Sequence, residues 1–418
     1  MAVKGARVVP VVRAGRLPRE IYVLVGASFM IAIGFGVVAP TLPVFVRSFD
    51  VGITAASLVV SVFALARLVF APGSGWLVGR FGELRVYLAG LAIVAVSTAG
   101  MAFAGEYWHL LALRAFGGIG STMFTIAALS LLIRLAPPDM RGRASGAWAT
   151  GFLMGNIVGP LVGGGLVAIS LRAPFLVYSA VLVVVVGLSA LMLRGRTGSA
   201  DVPGIELPAA VRFRDALHHR TYRATLVASF GNGWAVFGVR VALVPLLVVE
   251  VLEQPESWSG IALAVFAAGN AATLLVAGRF ADRYGRRPPM LVGLAVAGVF
   301  TGLLGYVDEP VLFLVVSLVA GLGSGLINPP MNAAVADIIG ARGRGGTVLA
   351  GFQMASDTGA IIGPVAAGVL AETLGYGPAF AVTGAVLIVG WVFWLRAPET
   401  LPRPATAVVG GASAEKGG

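Results

Sequence analysis

Apolar residues run through this chain in long blocks, separated by short clusters of arginine, glycine, proline and acidic residues. Twelve blocks stand out, at about 21–46, 54–78, 86–105, 108–133, 144–168, 174–193, 224–249, 258–278, 288–307, 311–336, 346–370 and 378–396. Within each block the apolar positions run right round a helical wheel. They do not alternate, which argues against the strands of a lipid-facing β-barrel. Each has about the 20 residues that a helix needs to cross a hydrocarbon core of ~30 Å. The longer ones predict tilt, or a break at glycine or proline. The expected fold is an all-α polytopic membrane protein with twelve transmembrane helices.

Composition agrees with that pattern. The chain is 58% hydrophobic and 12% charged, with a mean hydropathy of +0.92. Soluble domains carry about twice that charge. The net charge of +11 would suit a nucleic-acid binder, but its distribution points elsewhere. With both termini in the cytoplasm, 25 of the 30 Lys and Arg residues fall on the cytoplasmic side. The external loops carry Asp50, Glu106, Glu250, Glu253, Glu256, Asp308, Glu309 and Glu372 instead. That asymmetry is the positive-inside rule, so the basic balance is topological and no nucleic-acid partner is implied. Residues 1–20, with Lys4, Arg7, Arg13, Arg16 and Arg19, look like the start of a secretory leader. The apolar run that follows is too long and lacks a small-x-small exit, so it reads as an uncleaved first span. There is no cysteine, which excludes disulfides and thiolate metal sites. Of the three histidines, His109 falls at an external span end and His218 and His219 in a cytoplasmic loop; none sits mid-membrane, so no metal or haem site is expected.

The chain also repeats itself. Shifted by 203 residues, Gly75, Arg80 and Gly82 fall on Gly278, Arg283 and Gly285, and Gly118, Gly120 and Ser121 fall on Gly321, Gly323 and Ser324. Gly159-Pro160 meets Gly363-Pro364 with one residue of drift, and "RGR" recurs at 141–143 and 342–344. The expected organisation is a cytoplasmic segment 1–20, a six-helix half 21–193, a linker 194–223, a second half 224–396 and a disordered tail 397–418. Part of the linker, "RFRDALHHRTYR", has the make-up of a short amphipathic surface helix.

The stretch "GRFADRYGRR" (278–287) lies between spans 8 and 9. Its Gly278, Asp282, Arg283, Gly285, Arg286 and Arg287 resemble the loop signature of the major facilitator superfamily, transporters built of two six-span halves. The resemblance implies a cluster that holds the two faces of a rocking protein closed on the cytoplasmic side. Between spans 2 and 3 the copy keeps Gly75, Arg80 and Gly82, but Gly79 replaces the Asp, which leaves any lock there to Arg80, Glu83 and Arg85. Span 5 reads "GAWATGFLMGNIVGPLVGG", and its Gly146, Gly155, Gly159, Pro160, Gly163 and Gly164 resemble the fifth-span motif of the drug:proton antiporter branch. Small residues at this spacing let helices approach closely. In span 4, Arg114, Gly118 and Gly120 resemble the family's buried arginine motif, with Gly117 in place of the usual Gln.

Ionisable residues inside a membrane are costly and default to function. Four are expected there: Arg67, Arg114, Arg240 and Asp357. Asp357 lies 13 residues past Arg344, roughly 20 Å along a helix, hence near mid-membrane. A structural Arg–Asp bridge and a proton-carrying role are both open readings for it, with Arg67 and Arg240 as rival partners. Paired, Arg67 and Asp357 would close the external side. Separated, Asp357 would take up a proton. Asp337 and Glu250, at span ends, are expected to be solvated. In the superfamily spans 1, 4, 7 and 10 line the path, which implies Phe29, Phe35, Arg114, Asn232, Trp234, Arg240, Asn328 and Asn332 as cavity candidates. The "NPPMN" of span 10 predicts broken backbone beside a cavity.

The resemblance implies efflux of small amphipathic compounds, exchanged for protons by a monomer in the bacterial inner membrane. It implies no cofactor beyond the proton gradient, and the lipid bilayer and a small-molecule substrate as partners. Three deep arginines against one Asp favour the alternative of an organic-anion carrier. An enzyme would need a nucleophile or acid–base cluster at membrane depth, and one Asp does not supply it.

Overall fold

The computed structural model describes residues 17–136, 140–193, 213–339 and 346–401, and among them it is helical with no strand. Among the described residues, twelve helical spans are long and apolar enough to cross a bilayer. Spans 1 to 6 are Arg19–Arg47, Ile53–Phe81, Glu83–Ala102, Tyr107–Leu132, Arg143–Val167 and Ala173–Met192. Spans 7 to 12 are Arg220–Glu250, Ser257–Tyr284, Arg287–Tyr306, Pro310–Ile339, Thr347–Leu374 and Tyr376–Leu395. A hydrocarbon interior offers backbone amides no water, so such runs fold as helices that satisfy their own hydrogen bonds. The leading segment before residue 17, the linker stretch 194–212, the second "RGR" and the tail after 401 lie outside the described residues. The amphipathic linker helix reduces to one turn, Phe213–Ala216, and span 7 already begins at Arg220.

Two expected loops are mostly helix. Span 2 continues through Arg80 to Phe81 and span 8 through Arg283 to Tyr284, so the signature residues occupy last turns. The turns themselves are Gly82, with φ +83°, and Gly285, with φ +100°. A side chain is strained in that left-handed region, so glycine is required at both.

Three spans are interrupted. Span 1 turns at 39–41 around Pro40 and resumes as Leu42–Arg47. Span 7 passes through a π-helical stretch, Gly233–Val239. Span 10 stops at Gly325 and restarts at Asn328, placing Pro329 and Pro330 in a first turn, where a missing N–H is tolerated.

Glycine seams set the packing. A Cβ on Gly155, Gly159 or Gly163 would stand 2.5, 2.5 and 2.4 Å from the carbonyl oxygens of Phe29, Ile33 and Val37, so span 5 lies backbone to backbone on span 1. Gly164 turns the other way, 2.5 Å from the Ser257 oxygen of span 8 in the other half. Span 11 repeats the arrangement: Gly359 and Gly363 face Phe230 and Trp234 of span 7, and Gly368 faces Ser57 of span 2. The duplication seen in sequence is thus a duplication of interfaces.

Polar contacts between the halves gather at the end opposite the Gly82 and Gly285 turns. Arg47 Nε donates to Glu250 Oε1 at 2.8 Å, the Thr54 N–H donates to Glu372 Oε2 at 3.0 Å, and Ser61 donates to the Ile361 carbonyl at 2.6 Å. Arg47 and Glu250 stand 203 residues apart, the same position of the two repeats. One copy is basic and the other acidic, so the pair forms where the repeats meet. Tyr376 donates to the other oxygen of Glu250 at 2.7 Å. Glu250 is therefore paired, with its side chain 28% exposed; it is not simply solvated as its place at a span end suggested.

Candidate substrate cavity

A cavity of about 300 Å³ opens among spans 1 to 7 and 11. Most of its wall belongs to the first half; among the described residues the second half contributes Phe237, Val241, Gln353, Ser356, Asp357 and Ala360. Phe152 and Gln353, on the side of the arginine-rich turns, are exposed, while the Arg47–Glu250 end is closed. The cavity is an aromatic chamber that opens at one end.

Its charged groups are Arg67, Arg114 and Asp357. Arg114 lies 4.1 Å over the ring of Phe63, and Arg67 lies 5.9 Å from the same ring. Arg67 also donates to Ser121 Oγ at 2.6 Å. Gly117 matters here: a Cβ at that position would stand 3.1 Å from Ser97 Oγ and 3.8 Å from Phe63. The departure from the family's Gln leaves room beside the arginine. Asp357, half-buried, accepts from Gln353 Nε2 at 3.1 Å. Arg67 acts on it electrostatically, but the two make no ion pair within 4.0 Å among the described residues. In this state Arg67 and Asp357 are separated, and the far end is shut by Arg47–Glu250 and the Thr54–Glu372 contact.

Of the cavity residues expected from sequence, Phe35 and Arg114 line it. Asn232, Trp234, Arg240, Asn328, Asn332 and Phe29 do not. Phe29 lies on the seam with Gly155, and Trp234 packs on Gly363 and donates to Thr383. Asn332 is exposed outside the cavity wall. Asn232 contacts Asn328 and, with Arg240, borders a separate small pocket of about 10 Å³. No span 10 residue reaches the large cavity, because the break at 326–327 falls beside the small one. Arg240 is excluded as the partner of Asp357, since it stacks 3.6 Å over Phe266 and donates to Ser317. Sequence reasoning missed the Tyr87, Phe124 and Tyr178 walls. These are buried aromatics within apolar runs, and no local signal distinguishes them from core.

The arginine-rich turns carry two clamps related by the repeat. In the second half the buried Arg286 reaches Asp282 at 2.9 Å and Asp337 at 3.1 Å. In the first half Glu83 meets Arg134 at 2.9 Å. Residues 83 and 134, moved by 203, are 286 and 337, so the same clamp is built with its charges exchanged. This explains Gly79: an Asp there would face Glu83 one helical turn on, where Asp282 faces Arg286. Arg80 and Arg283 stack on neighbouring aromatic rings instead. Asp337, expected to be solvated, is held in the clamp and also accepts from Thr400.

One member was not foreseen. Glu399, just past span 12, accepts from the backbone N–H groups of Arg286 and Arg287 at 2.8 and 3.0 Å, capping the start of span 9. Burial works to raise its pKa, but the N–H donors of Arg287, Arg286, Leu401 and Thr400 outweigh that and hold the carboxyl below its ordinary range.

Comparison with known proteins places this architecture. The family model described as Major Facilitator Superfamily matches residues 24–263 and 225–415. The chain is 24% identical over 385 residues to the "Multi-drug resistance efflux pump PmrA" of Streptococcus pneumoniae, covering 90% of this chain and 94% of the pump. It is 30% identical over 159 residues to the "Quinolone resistance protein NorA" of Staphylococcus aureus, over 38% of this chain and 40% of that protein. Its fold matches a bacterial homologue of the human lysosomal transporter Spinster, crystallised in an inward-facing and unoccupied conformation (TM-score 0.73, 17% identity, 91% of this chain and 97% of that one). It also matches a POT family transporter in complex with a thioalcohol-conjugated peptide (TM-score 0.76, 12% identity, 91% and 96%). With twelve spans in two repeated halves around a cavity, and a family model that covers nearly all of it, the chain belongs to the major facilitator superfamily of membrane transporters.

Proposed function

We propose that the protein exports small amphipathic compounds in exchange for protons, by alternating access. The orientation follows from charge: the Arg-rich turns, both termini and the linker face the cytoplasm of a bacterial inner membrane. The state described above is then inward-facing, closed at the outer end by Arg47–Glu250 and open to the cytoplasm along Phe152 and Gln353. The protein works as a monomer, needs no cofactor beyond the proton gradient and performs no covalent chemistry.

The observation that carries this reading is Asp357, the only carboxylate lining the cavity among the described residues. A substrate in the chamber and a proton on this group would share one alternately exposed space. Arg67 lies on span 2, which packs on span 11 across the halves, so rocking changes the distance between cation and carboxylate. A carboxylate near a cation favours its ionised form, and a lone buried one its neutral form. That difference couples proton binding to the swing. Aromatic walls suit flat amphipathic compounds, in keeping with the names of the similar pumps. The presence of Arg67 and Arg114 against one carboxylate favours a second reading, a carrier of organic anions on the same fold.

The test is transport in proteoliposomes with an imposed pH gradient. Asp357→Asn is expected to abolish gradient-driven uptake of a fluorescent amphiphile while leaving counterflow measurable. Wild-type-like driven transport in that variant would refute the proton role. Drug accumulation in cells, with and without a protonophore, decides between the two substrate classes.

A further inference from the structure

The two halves each stack an intramembrane arginine on the same repeat position. Phe63 and Phe266 are 203 residues apart, and Arg114 and Arg240 lie 4.1 and 3.6 Å over their respective rings. The surroundings differ. Arg114 borders the open cavity, where water or substrate can reach it. Arg240 is 4% exposed and borders only the small pocket between spans 7, 8, 9, 10 and 12.

Within that pocket its charge is unanswered. One terminal N–H donates to Ser317 Oγ at 3.1 Å, the Nε–H has no acceptor, and no carboxylate lies within 4.0 Å among the described residues. A guanidinium keeps its proton inside a protein. A buried cation needs a partner of opposite charge, because one hydroxyl and one ring face return only a small part of its lost hydration.

We propose that this pocket binds a single monovalent inorganic anion, chloride under cellular conditions, as the counter-ion of Arg240. Size limits the occupant to a single small species: about 10 Å³ is too little for a carboxylic acid or a phosphate. Donors are at hand. Thr301 and Ser324 line the pocket, and Ser324 Oγ accepts from Asn270, which leaves its own O–H free to point inward. Asn232 Oδ1 is buried without a partner while its Nδ2 faces Asn328 Oδ1 at 3.5 Å. Turning both amides over keeps that contact and leaves an N–H donor where the unpartnered oxygen stood, on a residue that lines the pocket.

This inference does not rest on the transport reading, and its test needs no substrate. Purified full-length protein in lipid nanodiscs is titrated with radioactive chloride, with gluconate holding the ionic strength. Saturable binding approaching one chloride per chain is expected, together with a rise in melting temperature in chloride over gluconate. Arg240→Gln is expected to remove both effects. Thr301→Val, a nearly isosteric change, is expected to weaken binding about tenfold with the fold retained. Absence of saturable chloride binding to the wild type, as for a pocket that holds only water, would overturn the proposal. So would binding unchanged in either variant.

Discussion

Removing the charge of Glu250 tests how the outer end is held shut. Glu250→Gln loses the ion pair with Arg47 at 2.8 Å and weakens the bond accepted from Tyr376 at 2.7 Å. The ion-pair side chains are 37% and 28% exposed, so solvent screens them and the pair contributes no more than about 1 kcal/mol. Exchanging a charged for a neutral acceptor at Tyr376 costs about another 1 kcal/mol. Together, ~2 kcal/mol shifts the closed-to-open ratio of that end roughly thirtyfold. The chain has no cysteine, so two introduced ones are labelled without background. Spin labels at exposed Glu106→Cys and Asp308→Cys, one on each half, report the opening as a new long-distance population. Since residues 47 and 250 occupy equivalent positions, exchanging the charges (Arg47→Glu with Glu250→Arg) is expected to restore the closed distribution. Unchanged distances in Glu250→Gln would refute the argument and show that the glycine seams at Gly164 and Gly368 hold that end by packing alone.

Two further outcomes follow from the packing and from the cap at span 9. Gly159→Ala, whose Cβ would meet the Ile33 oxygen at 2.5 Å, is expected to lower stability by about 1–3 kcal/mol, whereas Gly146→Ala, with nothing within 4 Å, is expected to be neutral; thermal melts of both variants check this. Glu399→Gln is expected to cost about 1 kcal/mol at pH 7, as loss of a helix cap does, read as a melting-temperature drop of about 1–2 °C. Because the folded carboxyl is held below its ordinary range, that contribution is fully present above the unfolded pKa and disappears as pH falls through the folded one. Wild type and variant should therefore differ equally at pH 6 and 8 and converge only as pH falls from 4.5 through the folded pKa.

Much was legible in the order of residues. Twelve spans follow from run length, and the orientation expected from the arginines needs only their positions. The duplication was visible at Gly82 and Gly285, because a left-handed turn admits little besides glycine whatever surrounds it. The span 5 glycines were also readable, since close helix approach needs small residues at fixed spacing. Local rules of this kind act within one helix or one turn. Partners drawn from distant segments were not legible. Nothing near Glu83 in sequence announces Arg134, and nothing near Arg286 announces Glu399, although a shift of 203 residues applied to Arg47 would have pointed at Glu250. The cavity wall was the hardest part. Phe63, Tyr87 and Tyr178 look like any buried aromatic, and Arg240 looks as functional as Arg67. Which arginine faces open space and which is sealed depends on how far a π-helical stretch in span 7 and a break in span 10 rotate their helices. Such rotations are decided by packing between helices, so only the tertiary structure could assign them.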